Sequence, residues 1–335
     1  MIEEAMKTAA QDFSGQRPRS GVSVIIVVWN AKAYVIECLN SLRDHCAGTY
    51  TEVIVVDNAS TDGTPDLVAE MFPEFKVIRN LENLGFAKAN NIGMAHSTGE
   101  YVCLVNSDVK FTSDCISPML NYLERNLRVA MLGPKMLSGN DNKVYRSTLR
   151  FPTIWNLFCR AFGLDVALRR SRMFGGLLMA DFDHQTTSPV EVLVGWFWVV
   201  RRDSIEKVGM LDSRFFMYGE DVDWCYRFHK AGLGVVFFSE AEAFHYGGAS
   251  SSAAPARFYL EQSRANWQYF RKHHGVLAQA GVLAVLSCHH AIRVLAFACA
   301  YSFSRSQRSE IKVKLEKSVI CLRWVRTVAL NHSAA

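Results

Sequence analysis

Three stretches of this 335-residue chain hold side chains whose types and spacing suit cation and acid–base chemistry. Asn106-Ser107-Asp108 follows an apolar run, and a carboxylate there can hold a hard divalent cation against an anionic ligand. Glu220-Asp221-Val222-Asp223 places three carboxylates in four residues, directly after Phe215-Phe216-Met217-Tyr218-Gly219. If that stretch is helical, Asp223 and Arg227 are four apart and can pair. Asp221 is then turned about 200° away from Asp223. Aromatic neighbours would partly desolvate it and raise its basicity, as suits a general base. His245 stands in Ala243-Phe244-His245-Tyr246-Gly247-Gly248, after a strand and before glycines, where an imidazole can enter a metal shell. Each stretch also has a bland reading. An Asp at a strand end is commonly a cap, acids at a helix start complement the dipole, and a lone His is commonly structural.

The elements that must position these groups are legible in the first 110 residues. Val22–Trp29 is a continuous apolar, β-branched run, as expected of a buried parallel strand. Strand runs recur at 53–56, 75–79 and 101–105, and helix patterns fall between them near 32–45, after Thr64 and at 86–95. Such alternation predicts an α/β fold with a doubly wound, mostly parallel sheet. Ligands of such sheets sit beyond the carboxyl ends of the strands, where Asn30, Asp57, Asn106 and Asp108 fall. Residues 149–188 read as irregular, a mobile region over the site with a basic cluster at Arg169, Arg170 and Arg172. Residues 190–200 read as a strand broken at Gly195, followed by helices near 203–208 and 221–231 and a short strand at 234–238.

Charge divides the chain. From Pro255 onward there are twelve Lys/Arg against three Glu, while the overall formal charge is only +5. The tail is therefore strongly basic and the body mildly acidic. An anionic membrane surface fits the tail, and no nucleic-acid module is visible. Two apolar runs, 276–287 and 291–301, are interrupted by Cys288-His289-His290 and Arg293, and neither reaches the roughly 20 residues of a span. From 311 to 330, Leu315, Val319, Leu322, Val325 and Val328 recur at helical spacing among basic residues, as in a helix lying in the interface plane. The alternative is a helical subdomain or a dimer contact, so an oligomer is compatible with the pattern. Nine scattered cysteines without a CxxC pair suit a reducing compartment. The first twenty residues read as a flexible lead, 21–254 as a catalytic domain and 255–335 as a basic amphipathic helical region.

Taken in order, VSVIIVVWN, VIVVDNASTDGT, NLGFAKANNIG, NSD, FFMYGEDVDWCYR and FHYGGAS resemble glycosyltransferase family 2, which has the inverting GT-A fold. The pair FFMYGEDVDWCYR and FHYGG is most similar to bacterial rhamnosyltransferases of cell-wall linkers or O-antigen. The resemblance implies a nucleotide-sugar donor, dTDP-L-rhamnose first, with a UDP-hexose or UDP-galactofuranose as alternatives. It implies Mn2+ or Mg2+ as cofactor and a glycan acceptor; the basic tail adds the expectation that this acceptor is lipid-linked, at the inner face of the plasma membrane. By the resemblance Asp57 binds the base, the backbone of Val28 and Trp29 lines the nucleoside, and Asn90 lies near the nucleotide. Asn106 sits by the ribose or diphosphate, and Asp108 and His245 bind the metal. Asp221 is the general base, with Glu220 and Asp223 on the acceptor side and Gly195 and Trp196 facing donor sugar or acceptor. Asn106 departs from the Asp of many relatives and removes one charge near the cation. A QxxRW motif is missing, which favours single-sugar transfer over processive synthesis. Rival readings are a nucleotidyltransferase, whose Gly-rich basic loop is not found after the first strand, and a non-catalytic glycan-binding protein.

Overall fold

The computed structural model describes residues 19–168, 171, 173–179, 182–247, 255–303 and 308–332. The Arg169, Arg170 and Arg172 cluster, most of the N-terminal lead and Gly248 to Ser250 lie outside these residues. Four parallel strands open the chain: β1 (Arg19–Val28), β2 (Tyr50–Asp57), β3 (Lys76–Arg79) and β4 (Gly99–Asn106). They are connected through α1 (Lys32–Cys46), α2 (Thr64–Met71) and α3 (Phe86–Ala95). Val24, Ile25 and Ile26 are wholly buried, so both faces of β1 are covered, as its unbroken apolar run requires. The register sets Val28 beside Asp57 and Val27 beside Asn106, which brings three strand ends to one edge.

The sheet then departs from simple alternation. Beyond β4 the chain forms β5 (Val109–Phe111), α4 (Ile116–Arg125), β6 (Val129–Ser138), β7 (Thr148–Leu149), α5 (Ile154–Ala161) and α6 (Leu164–Ala167). There follow β8 (Ser188–Pro189), β9 (Val192–Leu193), β10 (Phe197–Arg201), α7 (Arg202–Val208), α8 (Glu220–Lys230) and β11 (Gly234–His245). The order across the sheet is β3-β2-β1-β4-β10-β6-β11-β5. β10 runs antiparallel to both β4 and β6, while β11 is parallel to β6. The expected strand at 190–200 is thus two, and Gly195 lies between them. The expected short strand at 234–238 runs seven residues further. A register irregularity between Phe238 and Glu242 carries it across a polar stretch to His245.

The chain forms two compact units. One holds the sheet and α1–α4, α7 and α8. The other gathers 151–179, 217–219 and the described residues from 255 onward, so 151–179 belongs with the helices. The expected irregularity there gives way to α5, which starts on a reciprocal cap. Thr153 Oγ1 accepts from Asn156 N at 3.1 Å, and Asn156 Oδ1 accepts from Thr153 N at 2.8 Å. This unit also contains α9 (Pro255–His273), α10 (Val276–Phe303) and α11 (Arg308–His332).

The two interrupted apolar runs are one continuous helix, α10, of 28 residues. By length and composition alone it is apolar enough to cross a membrane. Its interrupting polar groups turn inward: His290 is buried against the Tyr259 ring, and Arg293 Nε donates to Ser318 Oγ at 3.3 Å. In α11 the buried positions are Ile311, Ser318, Cys321 and Val325, and Lys312, Lys314, Arg323 and Arg326 are exposed. Of the seam expected on this segment, Val325 is buried and Leu315, Val319, Leu322 and Val328 are half-buried.

Candidate active site

Asp57 ends β2 with its side chain buried. Its Oδ2 accepts from Ser60 N at 3.1 Å, whereas Oδ1 is buried with no hydrogen-bond partner. A buried acceptor left open is costly, so this oxygen suits a donor arriving on a ligand. The turn around it is built from asparagines. Asn30, at φ 48°, accepts from Thr61 N at 2.7 Å, and its own N–H donates to Ser60 Oγ at 2.9 Å. Asn58 Oδ1 accepts from Asn80 Nδ2 and Leu84 N, and its Nδ2 donates to Asn83 Oδ1 and Gly85 O. This brace holds Asn83-Leu84-Gly85 against the end of β2. Asn58 has no distinction in sequence beyond lying next to Asp57.

Gly85 is fixed by close approach. It sits at φ 82°, and a Cβ there would lie 2.3 Å from the Phe216 carbonyl oxygen. Phe86 N donates to that same oxygen at 2.7 Å, tying the start of α3 to the chain ahead of α8. Asn90, expected near the nucleotide, is buried in α3 and its Nδ2 donates to Phe86 O. Its neighbour Asn91 bonds both backbone groups of Leu211, Nδ2 to O at 2.7 Å and Oδ1 from N at 3.1 Å.

Asp108 and His245 come together through the far edge of the sheet. β5 pairs antiparallel with β11, Val109 opposite His245, and Tyr246 N donates to Asp108 O at 3.0 Å. This leaves Asp108 Oδ1 3.2 Å from His245 Nε2, with both residues buried. His245 Nδ1 is buried without a hydrogen-bond partner. Trp196 stacks on the imidazole at 4.8 Å between ring centroids and 23° between planes, and Tyr145 meets it edge-on at 5.9 Å. Trp196 O accepts from Asn106 N at 2.9 Å, so the residue before β10 joins the end of β4 to the histidine. Gly195 is held close as well, since a Cβ there would lie 3.2 Å from the Trp198 ring. Tyr145 carried no signal in sequence.

The three acids of α8 occupy different environments. Asp223 is wholly buried and accepts from Arg227 Nε at 2.9 Å. The same guanidinium donates to the carbonyls of Val208, Gly209 and Met210 at 2.6–2.9 Å. That engagement ties Asp223, expected on the acceptor side, to Arg227 and through it to the chain at 208–210. Glu220 is buried, and its Oε2 has no hydrogen-bond partner. Burial, then the charges of Asp221 and Asp223, push its carboxyl well above the usual range. Asp221 alone of the three is partly exposed, with Oδ1 accepting from Val222 N at 2.8 Å. Val28 is buried and Trp29 partly exposed at the end of β1.

A mostly parallel sheet with polar groups gathered beyond its strand ends, and an antiparallel strand inserted between its halves, is the GT-A type of α/β fold. The sequence pattern of glycosyl transferase family 2 matches residues 23–209, and the chain belongs to that family. A curated relative, N-acetylglucosaminyl-diphospho-decaprenol L-rhamnosyltransferase of Mycobacterium tuberculosis, is 30% identical over 237 residues, covering 66% of this chain and 75% of its own. Glycosyltransferase AglE of Haloferax volcanii is 26% identical over 232 residues, covering 67% and 66%. Among solved structures, a mannosyltransferase of Pyrobaculum calidifontis in complex with GDP-Man and Mn2+ superposes with TM-score 0.51 at 18% identity, covering 96% of this chain and 97% of that one. GalNAc-T7 with UDP, GalNAc and Mn2+ gives TM-score 0.52 at 14% identity, covering 73% of this chain and 47% of that one.

Proposed function

We propose that this glycosyltransferase moves one L-rhamnose from dTDP-L-rhamnose to a hydroxyl of a lipid-linked glycan, with inversion at the anomeric carbon. The reading places the reaction at the inner face of the plasma membrane, in cell-wall or O-antigen polysaccharide synthesis. The observation that carries it is the buried Asp108–His245 pair, which lies beyond the carboxyl ends of the parallel strands, as does the open Asp57 carboxylate oxygen. The donor choice is supported by the mycobacterial relative and the FFMYGEDVDWCYR segment. A UDP-hexose or UDP-galactofuranose is the competing donor.

Asp57 Oδ1 accepts the imide N–H that thymine and uracil share, which supports a pyrimidine nucleotide. Val28 and Trp29 flank the nucleoside, and Asn90 and Asn106 stand on the nucleotide side. Asp108 Oδ1 and His245 Nε2 converge, and a carboxylate oxygen with an imidazole nitrogen is a fitting donor pair for Mn2+ or Mg2+. Among the described residues no third His, Cys, Asp or Glu joins them in a cluster. When bound, the ion neutralises the charge that develops on the leaving diphosphate. Asp221 takes the proton from the acceptor hydroxyl. Its neighbours are committed elsewhere, Asp223 to Arg227 and Glu220 to a buried site that favours the neutral acid. Gly195 and Trp196 border the sugar or acceptor.

The test is a panel of nucleotide sugars with Mn2+, read as nucleoside diphosphate release, with the anomeric configuration of the product read by NMR. Preferential release from dTDP-L-rhamnose and an inverted product are expected. Asp221→Asn should lower turnover by about 10²–10⁴-fold while nucleotide binding survives. A retained configuration, or near-parent turnover in that variant, overturns the mechanism. Preference for a UDP-hexose overturns the donor.

A further inference from the structure

Among the described residues, large apolar side chains are exposed very unevenly. Nineteen are exposed, and fourteen of them lie in the helical unit, about a third of the chain. The longest run is on α10. Leu277, Ala284, Cys288, Ile292, Leu295 and Phe303 are exposed and follow one another at steps of three, four, seven or eight residues, one or two helical turns. They form one uncharged stripe along a helix of about 42 Å. α5 lies beside it within the same unit: Ile154 Cδ1 would meet a Cβ at Gly281 at 2.9 Å, and Phe162 faces the His289 ring at 6.4 Å. From that strip Trp155, Phe162 and, on α6, Val166 are exposed too. An exposed apolar surface of this extent marks a docking face.

The composition of α10 suits a membrane span, but its packing argues otherwise. α11 runs against α10, joined by the Arg293–Ser318 hydrogen bond, and its outer side presents Lys312, Lys314, Arg323 and Arg326. Carrying those four into hydrocarbon with α10 is strongly unfavourable. With α10 in the interface plane, the basic residues of the tail stay out of hydrocarbon and within reach of anionic headgroups. The tail's twelve Lys/Arg against three Glu provide the complementary charge.

We infer that α5, α6 and the outer stripe of α10 form a single in-plane surface that inserts into an anionic leaflet, and that α10 does not cross it. The inference rests on the proposed lipid-linked acceptor only for its purpose, not for its physics. The experiment uses the full chain with vesicles of phosphatidylcholine, with and without phosphatidylglycerol. Co-sedimentation should require phosphatidylglycerol, weaken in high salt without vanishing, and be reversed by alkaline carbonate. Cys288 and Cys299 are the two exposed cysteines among nine, and their labelling by a polar maleimide should slow about tenfold or more on vesicles. Leu277→Glu with Leu295→Glu should weaken binding at least about tenfold, with donor hydrolysis within about twofold of the parent. Carbonate-resistant protein means that α10 spans, and overturns the in-plane inference. Indifference to vesicles, with concentration-dependent dimers and the same cysteines protected in them, means that a second copy covers the stripe and overturns it as well. In both cases donor hydrolysis reports separately on the proposed transferase reaction.

Discussion

Replacing Asp223 by Ala tests how the three acids of α8 divide their labour. Its carboxylate is wholly buried and paired with Arg227, whose side chain is 16% exposed. Removing it leaves a largely buried guanidinium bonded to the neutral carbonyls of Val208, Gly209 and Met210. Breaking one partner out of such a pair costs about 3–5 kcal/mol. With a urea m-value of about 3 kcal/mol/M, the midpoint drops by about 1–2 M. Arg227→Met strands the opposite charge and should cost a similar amount. The double variant strands neither, so its loss falls short of the sum by about 1–3 kcal/mol. Urea titration followed by tryptophan fluorescence suits the measurement, because Trp198 and Trp224 are buried and adjacent, 5.7 Å between centroids. Turnover of the protein that remains folded should stay within about tenfold of the parent. A stability loss under about 1 kcal/mol together with a turnover loss above about 100-fold would refute this structural role and return Asp223 to the acceptor side.

Glu220→Gln should flatten the pH dependence of stability. With its carboxyl raised above the ordinary 4.5, the folded chain holds a proton that the unfolded chain releases, so the parent loses stability as pH rises from 4.5 towards neutral. Superimposable profiles of urea midpoint against pH in parent and variant would rule this out. Gly85→Ala should destabilise by about 2–4 kcal/mol, since it adds a Cβ at φ 82° against the Phe216 carbonyl, and Asn91→Ala by about 1–3 kcal/mol through Leu211; thermal melts check both. Asp108→Ala and His245→Ala should each raise the Mn2+ concentration that gives half-maximal nucleoside diphosphate release. Trp196→Ala should do so by about tenfold through loss of the stack on His245, and unchanged titration curves in all three would refute the pairing.

The amino-acid sequence by itself determined the parallel half of the sheet. A buried strand covered on both faces must be a continuous β-branched run, so Val22 to Val28 could be read directly, and the turn residues after each run marked the strand ends. It also determined the candidate chemistry, because carboxylates and histidines at such ends are few, and it raised the Asp223–Arg227 pairing from helical spacing alone. Tertiary structure decided what depends on contacts distant in sequence. β11 continues to His245 across a bulge that local hydrophobicity conceals, and only its pairing with β5 brings that histidine to Asp108. Burial likewise distinguishes the three adjacent acids, with Asp223 paired to Arg227 and the Glu220 carboxyl pushed above its ordinary range. In the tail, sequence periodicity identified amphipathic segments but not which side finds a partner. Packing buried Ile311, Ser318, Cys321 and Val325 of α11 and left the stripe of α10 outside, since a helix face becomes core or surface only when a neighbouring helix covers it or leaves it bare.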